Sequence, residues 1–114
     1  MTCPHIESVF EILGRKWNGR LIHHLAQQPA GASRFTDIQR DLGDISPRAL
    51  SLKLSELAGH GIVTRVPAHG SGAAPGYTLS ERGLRLARAM RPLRDWARED
   101  AVNQSAGEAA VNAG

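Results

Sequence analysis

Between Pro47 and Ser55 the sequence PRALSLKLS spaces one arginine, two serines and a leucine so that a helix would carry them on a common face. At about 100° per residue, Arg48, Ser51, Leu52 and Ser55 fall in one sector, while Leu50, Leu54 and Leu57 fall on the opposite side. The chemistry of such a face is recognition by hydrogen bonding. The planar fork of Arg48 can pair with two acceptors at once, as the edge of a guanine offers them, and Ser51 and Ser55 can reach base edges or phosphates. Leu52 can touch a thymine methyl group. Taken alone, an amphipathic helix with a polar outer side is most often a solvated surface. Its neighbours along the chain decide what this one is for.

Ser46 and Pro47 make a strong helix start, because the serine oxygen can accept an orphan amide N–H and proline suits the first helical position. Gly59 and Gly61 supply a C-terminal cap, which places the helix end near His60. Ile62, Val63 and Val66 are suited to a strand. A presented polar face is therefore followed at once by extended chain.

Apolar residues at Ile6, Val9, Phe10 and Leu13 predict a first helix over His5 to Leu13, entered through Cys3 and Pro4 and ended by Gly14. A second is expected from about Trp17 to Gln27, with Trp17, Leu21, Ile22 and Leu25 buried, closed by Pro29 and Gly31. Arg15 and Lys16 are left at the joint. Ser33, Arg34 and Phe35 can form a very short extended piece, after which Thr36 is the expected N-cap of a helix carrying Ile38 and Leu42. Gly43 and Asp44 then turn into Ser46. A short helix, a tight turn and a longer helix form the helix-turn-helix plan, in which the second helix reads DNA.

A strand over Ile62 to Val66, the irregular segment PAHGSGAAPG and a returning strand over Tyr77 to Leu79 predict a hairpin with a long tip. Ser80, Glu81 and Gly83 open a last helix whose stripe is tracked by Leu84, Ala87, Met90 or Arg91, Leu93 or Arg94 and Ala97, with Trp96 beside it. From Val102 onward the residues are small and polar and are expected to fray. The expected organisation is one domain over residues 1–101 and a flexible tail over 102–114. The fold class is mainly α with a small β-hairpin wing.

The 114 residues suit a single domain that would gain from a partner subunit. All 14 lysines and arginines lie within residues 1–98 with eight acidic residues, a net of +6 on the part expected to fold. That balance favours a polyanionic partner. Cys3 is the sole cysteine, so neither an intrachain disulfide nor a thiolate zinc site can be assembled, and a cytoplasmic setting is expected. No apolar run approaches the roughly 18 residues of a membrane span, and no secretory signal is evident. His23 and His24 are adjacent, so they point to different helix faces, and no histidine pair has ligand spacing; neither a metal nor another cofactor is expected. No acid–base or nucleophile constellation stands out, so an enzyme is not expected.

Three segments in order, CPHIESVFEILGRKWNGRLIHHL, RFTDIQRDLGDISPRALSLKLSELAGHGIVTR and YTLSERGLRLARAM, give the chain from Cys3 to Trp96 a resemblance to the HxlR-type transcriptional regulators, which are MarR-like. The resemblance implies a winged helix-turn-helix that dimerises through its N- and C-terminal helices. It further implies a homodimer whose two recognition helices enter successive major grooves of a palindromic double-stranded DNA operator, more often as repressor than as activator. GRKW stands where the family usually has GGKW, which leaves the fold intact. Leu52 stands where the family often has a polar or basic residue, so the sequence read is expected to differ from that of its relatives.

Within this frame Ser46, Pro47, Arg48, Ser51, Leu52 and Ser55 are the expected recognition-helix contacts. Arg15, Lys16, Arg34, Thr36 and Arg40 border the helix-turn-helix as phosphate contacts, Thr36 at a helix N-terminus whose amides favour anions. Arg65, His69 and Ser71 belong to the wing, where glycines permit close approach. Cys3 stands before Pro4 at a helix start, where the dipole favours a thiolate, and some HxlR-type proteins use a cysteine at this place to sense oxidants or electrophiles. The plain alternative is a helix-entry feature. Two other functions compete: a regulator with a small-molecule pocket near Trp17 and Trp96 between subunits, and a winged helix that binds protein instead of DNA.

Overall fold

Proline at the first position and glycine just past the end set the limits of the helix singled out above. In the computed structural model, which describes residues 3–28, 32–67 and 75–113, α4 runs Pro47–Gly59 with Ser46 as its N-cap and His60 as its C-cap. The other elements are α1 (Pro4–Leu13), α2 (Asn18–Ala26), β1 (Ser33–Arg34), α3 (Phe35–Leu42), β2 (Val63–Val66), β3 (Gly76–Leu79) and α5 (Glu81–Ala113). The chain divides into two compact units, Met1–Leu84 and Arg85–Gly114. No helix among the described residues is long and apolar enough to cross a membrane.

The core of the first unit is aliphatic. Leu21, Ile22 and Leu25 of α2, Ile38 and Leu42 of α3, and Leu50, Leu54 and Leu57 of α4 are all buried, as their spacing predicts. Ile45 in the turn and Ile62 and Val63 beyond α4 complete it. α1 departs from expectation. It buries Ile12, while Ile6 and Phe10 remain 54% and 59% exposed.

The expected hairpin is present and carries a third strand. The sheet is antiparallel with order β1-β3-β2; Val63 faces Leu79 across the β2–β3 ladder and Ser33 faces Tyr77 across β1–β3. A two-residue strand shows no alternation, so β1 could be noticed in the sequence but not assigned to a sheet. Gly76 permits this third pairing. A Cβ there would lie 2.9 Å from the Ala32 Cβ and 3.3 Å from the Ser33 carbonyl oxygen.

Three helix ends differ from the sequence expectation. α3 begins at Phe35 with extended Arg34 as N-cap and no side-chain cap, so Thr36 is a first-turn residue instead of the cap; pairing of Arg34 in β1 fixes where the helix can start. Trp17 is the N-cap of α2 with a left-handed backbone, φ 77° and ψ −23°, and is half-buried, not a helical core residue. α5 continues to Ala113, through the segment expected as a flexible tail. Alanine, glutamine and glutamate there favour helix, against the weaker formers valine, asparagine and serine and the glycine at Gly107. Between Arg85 and Asp95 the less exposed side chains are Leu86, Ala87, Met90 and Arg94, whereas Leu93 and Trp96 are exposed.

Candidate nucleic-acid interface

α4 is held at both ends by hydrogen bonds to backbone atoms, in which Ser46 alone of the recognition-helix candidates takes part. At its start, Gly43 turns the chain with φ 82°, a conformation that favours glycine. Its N–H donates to the Gln39 carbonyl at 2.9 Å, and that of Asp44 to the Leu42 carbonyl at 3.1 Å. The Gln39 side chain donates to the Ile45 carbonyl at 3.3 Å. Arg20, from α2, donates to the Leu42 carbonyl at 2.7 Å. Ser46 then caps α4, its Oγ accepting from the Ala49 N–H at 3.1 Å.

The other end closes in a Schellman motif: Ile62 N–H donates to the Leu57 carbonyl at 2.9 Å and Gly61 N–H to that of Ala58 at 3.0 Å, with Gly61 at φ 75°. The first turn of α5 is fastened to the same place. Ser80 Oγ donates towards the Gly61 and Ile62 carbonyls at 2.5 and 3.1 Å and accepts from the Gly83 N–H at 3.0 Å. Arg82 donates to the His60 carbonyl at 2.5 Å.

Between these anchors Leu50, Leu54 and Leu57 face inward, while Arg48, Ser51 and Ser55 are exposed and Leu52 is 60% exposed. Ser46 and Pro47 are exposed at the N-terminal end. Lys53 and Glu56 pair at 3.3 Å beside this surface. The recognition-helix candidates named from the sequence therefore share one open face, with an exposed leucine among hydroxyls and a guanidinium.

The flanking candidates are spread over other elements. Arg15 and Lys16 are exposed between α1 and α2, Arg34 and Thr36 at the start of α3, and Arg65 on β2 opposite Tyr77. Arg40 lies 3.6 Å from Asp37 on the α3 surface, an exposed pairing of small energetic weight. His69 and Ser71 lie outside the described residues. Cys3 is exposed and is the N-cap of α1; its carbonyl accepts from the Glu7 N–H at 3.1 Å and its side chain makes no cap bond.

Two features behind this surface were not legible in the sequence. His24 is 7% exposed, with Nδ1 2.6 Å from Asp41 Oδ2 and Nε2 2.9 Å from Ser33 Oγ. With Nδ1–H donating to the carboxylate, Nε2 accepts from the hydroxyl, and α2, α3 and β1 are joined. The order carboxylate, imidazole, hydroxyl is that of a nucleophile relay, but Ser33 is 3% exposed inside the sheet, where no substrate can reach it. It is a strut. The adjacent pair His23–His24 gave no sign of which ring turned inward. The second feature is Trp17, whose ring has Lys16 Nζ 5.3 Å and the Arg20 guanidinium 4.8 Å from its centroid.

A helix-turn-helix whose second helix presents a free polar face, followed by an antiparallel β-ribbon, defines a winged-helix DNA-binding protein. The chain belongs to the HxlR family: the profile described as "HxlR-like helix-turn-helix" matches residues 12–105. It is 36% identical over 95 residues to the HTH-type transcriptional regulator YodB of Bacillus subtilis (strain 168), covering 83% of this chain and 82% of that protein. The solved reduced form of B. subtilis YodB superposes with a TM-score of 0.74 at 36% identity, over 85% of this chain and 92% of that one. The redox regulator HypR in its reduced form gives a TM-score of 0.75 at 31% identity, over 88% and 97% of the two chains. The chain is thus a transcriptional regulator of the HxlR type.

Proposed function

We propose that two copies of this chain bind a palindromic operator and repress transcription, and that modification of Cys3 by an oxidant or electrophile changes that binding. The observation that carries the DNA reading is the open face of α4, where Arg48, Ser51, Leu52 and Ser55 are all exposed on a helix fixed at both ends. In this reading Arg48 contacts a guanine edge, Ser51 and Ser55 contact bases or phosphates, and Leu52 contacts a thymine methyl. Arg15, Lys16, Arg34, Thr36, Arg40 and Arg65 contact phosphates and set the register without reading sequence.

Pairing of subunits is supported by apolar side chains left open within each unit: Ile6 and Phe10 on α1, and Leu93 and Trp96, the latter 62% exposed, on α5. Repression rests on family membership. Cys3 as sensor is supported by its exposure and its place at a helix N-terminus. YodB has been solved in quinone-bound and diamide-treated forms, and HypR in an oxidized form. For a quinone, the Cys3 sulfur adds to a ring carbon and its proton passes to the ring oxygen. For a diazene oxidant, two Cys3 thiols join as a disulfide while their two electrons and two protons reduce the N=N bond.

Selection of bound sequences from random DNA, repeated after treatment with diamide and with Cys3→Ser, tests the whole reading. A palindrome whose affinity changes on oxidation of the native protein, and not of Cys3→Ser, is expected. Absence of any enriched sequence overturns the DNA reading; an unchanged affinity after oxidation overturns the sensor.

A further inference from the structure

Among the described residues Trp17 is the one non-glycine with positive φ, at 77°. A bulky side chain in that conformation is strained and persists only where its surroundings hold it there. The ring that this backbone positions has the Arg20 guanidinium over its face, 4.8 Å from the centroid. The same guanidinium donates through Nη2 to the Leu42 carbonyl at 2.7 Å. That carbonyl ends α3 and also accepts the Asp44 N–H, so it is the point from which the turn into α4 departs. A cation there also meets the negative end of the α3 dipole.

We infer that Arg20, oriented by the strained Trp17, is a positioning residue for the recognition helix: it fixes the Leu42 carbonyl and so the angle at which Ser46 to Ser55 meet DNA. Lys16, 5.3 Å from the centroid of the same ring, supplies charge there but bonds no turn carbonyl. Arginine is needed because only its planar fork can lie over the indole while a second nitrogen reaches the carbonyl. The inference rests on α4 being the helix that reads DNA. A phosphate contact by Arg20 is the competing role, and the two leave different traces.

The test compares Arg20→Ala, Arg20→Lys, Trp17→Ala and the double variant Arg20→Ala/Trp17→Ala. Each is measured on the sequence recovered by selection, on random DNA and across salt concentration, with amide hydrogen exchange at Gly43 and Asp44 recorded on free protein. A positioning role gives Arg20→Ala an affinity loss on the selected sequence of about tenfold, the scale of one charge-assisted hydrogen bond. The loss on random DNA is smaller, the salt slope is unchanged, and exchange at Gly43 and Asp44 is faster. Arg20→Lys recovers only part of the affinity, and the double variant is no worse than the weaker single one, because both act through one bond. A salt slope reduced by about one unit assigns Arg20 to a phosphate and overturns the inference. Additive losses overturn it too. Unchanged exchange at Gly43 and Asp44 overturns it even if no sequence is selected, whereas failure of selection with accelerated exchange removes only the DNA-reading proposal.

Discussion

Gly83→Ala sets two rules against each other. In the first turn of a helix, replacing glycine by alanine ordinarily stabilises by up to about 1 kcal/mol, through backbone entropy. Here Gly83 is buried, and an added Cβ would lie 2.2 Å from the Ile62 carbonyl oxygen and 3.1 Å from both its carbon and the Leu79 Cδ2. A carbon needs roughly 3.3 Å from such an oxygen, so about 1 Å of movement is required. The oxygen cannot retreat freely, because it accepts the Ser80 N–H at 2.9 Å and the Ser80 hydroxyl at 3.1 Å. Moving it by an ångström breaks both, about 2 kcal/mol together; if the backbone stays in place instead, the overpacking costs about 1–3 kcal/mol. Against a propensity gain of up to about 1 kcal/mol, either route leaves a net loss of about 1 kcal/mol. For a domain of this size that lowers Tm by roughly 5 °C. Thermal unfolding followed by circular dichroism, with urea titration to check that the m-value is unchanged, reads it directly. A Tm equal to or above that of the native chain would refute the argument, and with it the claim that the α5 first turn is fastened to the end of α4.

Three further perturbations separate reading from holding. Arg48→Ala should weaken binding to the selected operator by about 1–3 kcal/mol with a smaller loss on random DNA and little change in Tm, measured by fluorescence anisotropy; equal losses on both DNAs would count against base contact. Arg65→Ala should lower affinity for both DNAs alike and reduce the slope of log affinity against log salt by about 0.9, and an unchanged slope would remove β2 from the interface. Ser46→Ala should cost about 1 kcal/mol in urea unfolding through loss of the bond to the Ala49 N–H, and a stability within about 0.3 kcal/mol of native would show that the cap contributes nothing.

Elements with strong periodicity and firm ends were legible. α4 could be read to within a residue, because Ser46–Pro47 and Gly61 each have a conformational meaning independent of tertiary context. The buried faces of α2, α3 and α4 followed from leucine and isoleucine spacing alone. What could not be read depended on partners distant in sequence. The assignment of β1 to the sheet needs Tyr77, 44 residues away from Ser33 by the register of their pairing. The inward turn of His24 needs Asp41 and Ser33. Nothing in NGRLIHHL says that the Arg20 side chain ends on the Leu42 carbonyl. Thr36 was misplaced for a related reason: composition favours it as a cap, but pairing of Arg34 with Gly76 decided where the helix starts.

The recognition surface and its supports share only Ser46, and the distinction between the rest is chemical. Every polar group fastening the ends of α4 is bonded to a backbone atom: Arg20 and Asp44 to the Leu42 carbonyl, Gln39 to that of Ile45, Ser46 to the Ala49 N–H, Ser80 to Gly61 and Ile62, and Arg82 to His60. Backbone atoms are the same whatever side chains the helix carries. The outward positions Arg48, Ser51, Leu52 and Ser55 make none of these bonds, so replacing them leaves every support in place. That is why Leu52, 60% exposed, can be exchanged for a polar residue without any compensating change in the fold. It also fixes the sign of the tests above: Gly83→Ala and Ser46→Ala should move stability, while Arg48→Ala should move sequence preference at nearly constant stability. Arg20 is the position where the two measures meet, because its bond is made to the turn but its effect falls on the angle of a face it never touches.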